Sequence, residues 1–244
     1  MEDTSKTRTA SEAGWLWLLP RIAFVLFVAA VGALLWLSER AAREEQHAIL
    51  INDVLWLEQD LRFQLSHNEE LLGQIGPQEA ANAEIFEAHA RTLLANQAGL
   101  RQILWTDADM RVRRVFPGFL DAAGDGADGN AIPAPATLRL AQSLGNATYS
   151  PAYPIAGGDW QFEVHVPVFR GGKIAGVTVG IYSIRRILND AIPWWLAERY
   201  RISVIDTAGN HLGDRSKVEA AEDVSGYEIS FDPPGHGLSL HTVP

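Results

Sequence analysis

Residues 160–183 read WQFEVHVPVFRGGKIAGVTVGIYS. Two runs rich in β-branched and aromatic residues, 160–169 and 173–183, flank Gly171-Gly172. A Gly-Gly pair between such runs is a strong hairpin signal, because a tight two-residue turn needs positive φ and glycine takes it without a steric penalty. Working outward, Gly157-Gly158 separates this hairpin from a further strand over Ala147 to Tyr153. Upstream, RQILWT (101–106) and RVRRVF (111–116) flank Asp107-Ala108-Asp109-Met110, a second hairpin candidate. Between the two groups, Pro117 to Pro135 is rich in Gly, Ala and Asp and reads as a loop, followed by a short helix from Ala136 to Leu144. The order is helix, two strands, loop and helix, then three strands. It predicts an α+β domain of five antiparallel strands with helices packed on one face.

The N-terminal side has a different character. Ile22 to Leu37 runs IAFVLFVAAVGALLWL without a charge, and Trp15 to Leu19 extend it upstream. The stretch from Trp15 to Leu37 is about 23 residues, where a bilayer core needs roughly 20. Trp15, Trp17 and Trp36 lie near its ends, where amphipathic rings favour the headgroup level. A cleaved leader would have a shorter apolar core and a small-residue cleavage site, so an uncleaved transmembrane helix is expected at 15–37. Lys6, Arg8 and Arg21 place the first 14 residues in the cytoplasm. Ser38 to Leu72 contains no glycine or proline and repeats Leu50, Val54, Leu57, Leu61 and Leu71, which predicts one long helix. That stripe suits a packed core face or a parallel dimer seam equally. Gly73, Gly76 and Pro77 end it, and a second helix over Gln78 to Asn96 buries Ile85, Phe86, Ala90, Leu93 and Leu94. The stalk thus spans 38–99 and the first sensor-like domain 100–186.

Ile187 to Tyr200 reads as a helix broken at Pro193, after which the pattern restarts. LWTDADMRV (104–112) aligns with VIDTAGNHL (204–212) at an offset of 100, matching Ala108 with Ala208. Residues 187–244 are therefore a second, truncated domain of the same kind, and the chain reads as the N-terminal part of something longer.

Composition narrows the functions. Hydrophobic residues make up 47%, charged residues 20%, and the net charge is -10, which does not suit a nucleic-acid binder. The absence of cysteine removes disulfides, thiolate metal sites and a cysteine nucleophile. No nucleophile elbow, phosphate loop or H-E-x-x-H occurs, so no catalytic residue is expected in these 244 residues. Asp125, Asp128 and Asn130 in DGADGN lack the spacing of a calcium loop. His236 and His241 face opposite ways if extended, so no metal site and no cofactor are expected.

The ILWTDADMRV hairpin, the PVFRGGKIAGVTVGIYS hairpin and the restart at RISVIDTAGNHLGD together resemble the tandem periplasmic PAS-like (double Cache) sensors of bacterial receptors. The closing FDPPGHGLSLH is similar to sensor histidine kinases of the C4-dicarboxylate type. The resemblance implies a bacterial inner-membrane protein whose sensor region lies in the periplasm. It also implies a small solute bound in the membrane-distal domain and a signal passed through helices to a cytoplasmic kinase. A homodimer through the stalk helix, the membrane and a small-molecule ligand are the expected partners. The kinase motifs themselves, a phospho-acceptor histidine box and a glycine-rich ATP lid, are not in this sequence. A chemoreceptor or cyclase-linked receptor would have the same sensor. A membrane-tethered enzyme is the rival from another class.

Candidate ligand-binding residues are Arg111, Arg113, Arg114, Tyr149, Tyr153, Trp160 and His165, with Gln161 and Glu163 between them. Arginine binds carboxylates with a two-pronged fork, and tyrosine adds a neutral donor. On a strand, Arg111 and Arg113 share one face and Arg114 takes the other. A carboxylate ligand would require at least one of the three to point inward near Tyr149, Tyr153 or Trp160.

Overall fold

The computed structural model describes residues 18–118, 134–217, 226–230 and 237–243. The loop expected at 117–135 and its DGADGN motif, Trp15, Trp17 and His236 fall wholly or largely outside the described residues. The chain divides into two compact units, Met1–Leu50 and Ile51–Pro244.

A single helix, α1, runs Leu18–Gly73 over 56 residues. Within its first part, Pro20–Ala41 is long and apolar enough to cross a membrane, with a mean hydropathy of 2.2 and its side chains exposed. In the second unit α1 presents a buried stripe of Val54, Leu57, Leu61, Leu65 and Leu72. Of the stripe expected from sequence, Leu71 is only half-buried and Leu72 takes its place, and the buried side chains form a face of the chain's own core. It lies on the sheet so closely that a Cβ on Gly180 would come within 2.8 Å of Leu72 Cδ1.

The helix expected at 78–96 is two helices, α2 (Pro77–Ala81) and α3 (Ala83–Asn96). Asn82 breaks them: its backbone is extended, and its side chain accepts the amides of Glu84 and Ile85, capping α3. Phe86, Ala90 and Leu93 are buried as expected, whereas Leu94 is half-buried and Ile85 is exposed.

The first sheet comprises β1 (Leu100–Asp107), β2 (Val112–Phe116), β3 (Thr148–Tyr149), β4 (Tyr153–Pro154), β5 (Trp160–Arg170) and β6 (Lys173–Ser183). Its order is β2-β1-β6-β5-β3, with β4 also paired to β5, and every pairing is antiparallel. The strand expected at 147–153 is split into β3 and β4 by Pro151, which has no amide for the ladder. Gly171 and Gly172 both have positive φ (59° and 75°) in the β5–β6 turn.

Helices cover both faces of this sheet, not one. On the back face Leu72 of α1 lies against Gly180 and α3 lies against β1 and β2, and Ile103, Phe162, Val164 and Tyr182 are buried there. On the front face α4 (Pro135–Leu144) places Leu138 among Leu104, Val177, Val179 and Ile181, with Val112 and Val115 at the edge. As a result eight consecutive residues of β5, Gln161 to Val168, are buried, polar and apolar alike.

Ser183 caps α5 (Ile184–Ala191) by accepting the Arg186 amide. Pro193 then separates α5 from α6 (Trp194–Ala197), with Ile192 held extended before it. A separate sheet follows: β7 (Arg201–Ile205), β8 (His211–Arg215), β9 (Tyr227–Ser230) and β10 (Ser239–Val243), in the order β8-β7-β10-β9.

The first hairpin turns of the two sheets share one geometry. The Asp107 carboxylate accepts the amides of Asp109 and Arg111, and the Met110 amide returns to the Asp107 carbonyl. Asp206 does the same with Ala208, Asn210 and Gly209. Both hairpins bulge at equivalent places, between Trp105 and Thr106 and between Val204 and Ile205. Asp107 therefore matches Asp206, not Thr207. The offset of 100 was one residue too long, because it aligned two alanines in place of the two aspartates that make the turn.

Candidate functional site

The front face of the first sheet, beneath α4, holds a polar array set into the apolar cluster. Pairing places Gln161, Glu163 and His165 of β5 opposite Ser183, Ile181 and Val179, and Thr148 of β3 opposite His165. Residues directly opposite on antiparallel strands share a face, so these belong to the side that α4 covers.

Glu163 and His165 are fully buried, and their side chains meet at 2.7 Å between Oε2 and Nε2. The other carboxylate oxygen of Glu163 accepts the Tyr153 hydroxyl at 2.9 Å. Ser150 ties β5 to the neighbouring segment twice: its Oγ accepts the Glu163 amide at 2.8 Å, and its own amide donates to the Glu163 carbonyl at 2.8 Å. With Nε2 occupied, the remaining ring nitrogen of His165, Nδ1, is buried without a hydrogen-bond partner. Burial, and next the Glu163 carboxylate, push the Tyr153 hydroxyl well above the ordinary phenol range, against the opposing charge of Arg101. Arg101, half-buried on β1, is thus a cation close enough to act on Tyr153, which the sequence reading did not single out. Gln102, next along β1, donates to the Pro117 carbonyl at 2.8 Å.

The arginines in and just before β2 are elsewhere. In the strand order β2-β1-β6-β5, β2 is three spacings from β5, roughly 14 Å at about 4.8 Å per strand. Arg111 is exposed, and Arg113 forms an ion pair with Asp107 at 2.6 Å inside its own hairpin. Arg114 pairs across the strands with Trp105 and donates to the Ala81 carbonyl at 3.1 Å, on the back side. None of the three is placed near Tyr149, Tyr153 or Trp160, so the arginine expected at a carboxylate site does not come from this set, and these residues give the carboxylate reading no support. They were grouped because they are close in sequence and of the right chemistry, and sheet order then separates them.

The remaining candidates divide between the faces. Tyr149 points backward, where its hydroxyl donates to the Glu69 carboxylate of α1 and its ring lies 6.3 Å from Phe162. Burial raises the Glu69 carboxyl above its ordinary value, with the Tyr149 hydrogen bond opposing. Trp160 is half-buried at the start of β5, paired with Pro154. Of the candidates, only Tyr153 and His165, with Glu163 between them, form one connected array. Among the described residues, no group of three or more His, Cys, Asp or Glu is placed to hold a metal ion.

A helix-flanked sheet followed by a second, smaller sheet is the fold of the ligand-binding domains of bacterial chemoreceptors. The domain of the Pseudomonas aeruginosa amino acid chemoreceptor PctC, in complex with GABA, superposes with a TM-score of 0.53 at 17% identity, covering 82% of this chain and 98% of that one. The domain of Campylobacter jejuni Tlp3, in complex with L-norvaline, gives 0.53 at 9% identity, over 82% and 91%. The domain of P. aeruginosa PctB with L-arginine gives 0.51 at 14%, over 77% and 90%. In sequence the chain is similar to the C4-dicarboxylate transport sensor protein DctS of Rhodobacter capsulatus, 32% identical over 228 residues. That alignment takes in 93% of this chain and 32% of the relative, so the chain spans about a third of the relative's length. No family model matches the sequence.

Proposed function

We propose that this chain is the extracytoplasmic sensing region of a bacterial membrane receptor, and that a C4-dicarboxylate or similar small solute binds the front face of the first sheet. The observation that carries the reading is the similarity to a C4-dicarboxylate transport sensor along nearly the whole chain. The buried Tyr153–Glu163–His165 array supplies the polar centre such a site needs. In this reading 20–41 crosses the inner membrane, the rest lies in the periplasm, and 100–186 and 187–244 are the membrane-distal and membrane-proximal modules. Ligand binding shifts α1, which carries the change to a cytoplasmic histidine kinase. The exposed apolar side chains Trp56 and Phe63, seven residues apart on α1, are the contact for a second copy.

The test is the thermal stability of the full chain in detergent with succinate, fumarate and malate, beside GABA and L-arginine. A ligand at a hundred times its Kd stabilises by about 2.7 kcal/mol, enough to raise the melting temperature by several degrees. Dicarboxylates are expected to do so and the amines not. A shift with the amines alone would overturn the dicarboxylate assignment.

A further inference from the structure

We infer that α5 is a strut coupling the two sheets: Asp159 beside the first holds its N-terminus, Arg215 of the second holds its C-terminus, and loss of either grip loosens both. The link itself needs no ligand, and its use as a second route beside α1 rests on the proposed ligand site.

The sequence of α5 does not favour a helix standing alone. It has eight residues, where an isolated helix is marginal in water below roughly 12–15. Its own charges also run against the helix dipole. Arg185 and Arg186 lie in the first turn, where negative charge is favoured, and Asp190 lies in the last, where positive charge is favoured. Ile184, Ile187, Leu188 and Ala191 are buried, so its apolar face is held by its neighbours.

Groups from outside the helix supply what its own ends lack. The turn between β4 and β5 brings Asp159 to the N-terminus. Its Oδ2 accepts the Ser183 hydroxyl at 2.6 Å, and Ser183 Oγ in turn accepts the Arg186 amide at 3.1 Å. Its Oδ1 accepts the Trp160 amide at 2.8 Å and the Arg185 amide at 3.4 Å. The Arg185 guanidinium closes the contact by donating to the Gly158 carbonyl at 3.1 Å. At the other end, Nη1 of Arg215 on β8 donates to the Leu188 carbonyl at 2.8 Å and to that of Asn189. Carbonyls of a last turn are the ones a helix leaves to outside donors. An acid at the N-terminus and a base at the C-terminus both complement the dipole, and one comes from each sheet.

Packing follows the same pattern. A Cβ on Gly213 of β8 would lie 3.1 Å from Leu188 Cδ1 and 3.6 Å from Ile184 Cγ2, and one on Gly99, just ahead of β1, would collide with Ile187. Contacts with β5, β6 and β7 complete the seat. The turn that bears Asp159 lies between Tyr153 and Trp160, and Tyr153 reaches the buried Glu163. A movement of that turn therefore pulls on the N-terminus of α5, and the helix, held at both ends, passes it to Arg215 and the second sheet.

The test is a double-mutant cycle read by hydrogen exchange over β7 in the full chain in detergent, without ligand. Asp159→Ala and Arg215→Ala are each expected to speed exchange across 201–205 about tenfold, a change of about 1.4 kcal/mol. The two side chains act at opposite ends of the helix, about 12 Å apart at 1.5 Å per residue. Independent sites at that separation would multiply to about a hundredfold in the double variant. Coupled through α5, the double variant stays near tenfold, because the first substitution has already released the helix. Asp159→Asn and Arg215→Lys give a milder cycle with the same expected non-additivity, should an alanine variant fail to fold. Unchanged exchange over 201–205 in the Asp159 variant, or a double effect equal to the product of the two single ones, would overturn the coupling. Neither result touches the ligand reading, which is decided by dicarboxylate binding.

Discussion

Asp107 and Asp206 show how much one carboxylate does at a turn. Each receives two backbone amides on a single oxygen, fixing the chain reversal at the first hairpin of its sheet. At Asp107 partial burial opposes ionisation, but the Arg111 and Asp109 amides and the Arg113 guanidinium outweigh it and hold the carboxyl below its ordinary value of 3.8. The stabilisation is therefore present above pH 3.8 and is lost as pH falls through the lowered folded value. Asp107→Ala is expected to destabilise the fold by about 1–2 kcal/mol at pH 7 in chemical denaturation, with the difference shrinking in acid. Glu69 has the opposite sign, since burial raises its carboxyl above 4.5 in the folded chain. Its stabilising share is present below pH 4.5 and is lost as pH rises through the raised folded value. Glu69→Gln keeps an acceptor for Tyr149 without a charge to desolvate. It is expected to melt higher than the wild type above that window, with the advantage vanishing below pH 4.5; an advantage that grew in acid would contradict the assignment.

At the scale of elements, the junction between α3 and β1 turns on Gly99. Its φ is +76°, its carbonyl receives the Ser183 amide at 2.9 Å, and a Cβ there would lie 2.1 Å from Ile187 Cγ1 on α5. Both the backbone conformation and the contact demand glycine, so Gly99→Ala is expected to destabilise by about 2–4 kcal/mol, measured by urea unfolding. Gly171-Gly172 and the periodicity of β5 and β6 made the central hairpin legible in sequence, because a two-residue turn and a strand are local properties. The break at Asn82 was legible too, in an asparagine ahead of an apolar-periodic run, but it was absorbed into a longer helix. Non-local facts were out of reach. Gln161, Glu163 and His165 alternate with Phe162, Val164 and Val166, the pattern of a strand wet on one side. Only the packing of α4 over the sheet buries that side, a contact that strand periodicity does not encode. Likewise the guanidinium of Arg114 and the ring of His165 looked equally suited to a ligand shell, and strand order alone separates them. The candidate site was thus half readable: its chemistry was local, and its composition depended on topology.

At the scale of the whole molecule, α1 has two apolar aspects that the sequence could not rank. The stripe of Val54, Leu57, Leu61, Leu65 and Leu72 is buried within the chain. Phe63, by contrast, is 70% exposed, and Trp56 is 45% exposed with its ring 6.0 Å from Trp195 of α6. Seven residues separate them, close to two helical turns, so both lie on one side of the helix. Large aromatic side chains left in water at that spacing lose favourable burial, which a second copy packed alongside would restore at about 25 cal/mol per Å². Single exposed apolar residues are ordinary on protein surfaces, so the spacing and not the exposure carries the argument. In the parallel arrangement that a shared membrane span would impose, each Phe63 meets its counterpart. A charge at that position should then be felt twice in a dimer and hardly at all in a monomer. Phe63→Glu is expected to weaken self-association of the full chain in detergent at least tenfold, about 1.4 kcal/mol, by analytical ultracentrifugation. Its monomer should melt within about 0.5 kcal/mol of the wild type, as for other surface substitutions. An unchanged association constant would exclude this face of α1 as the contact between copies.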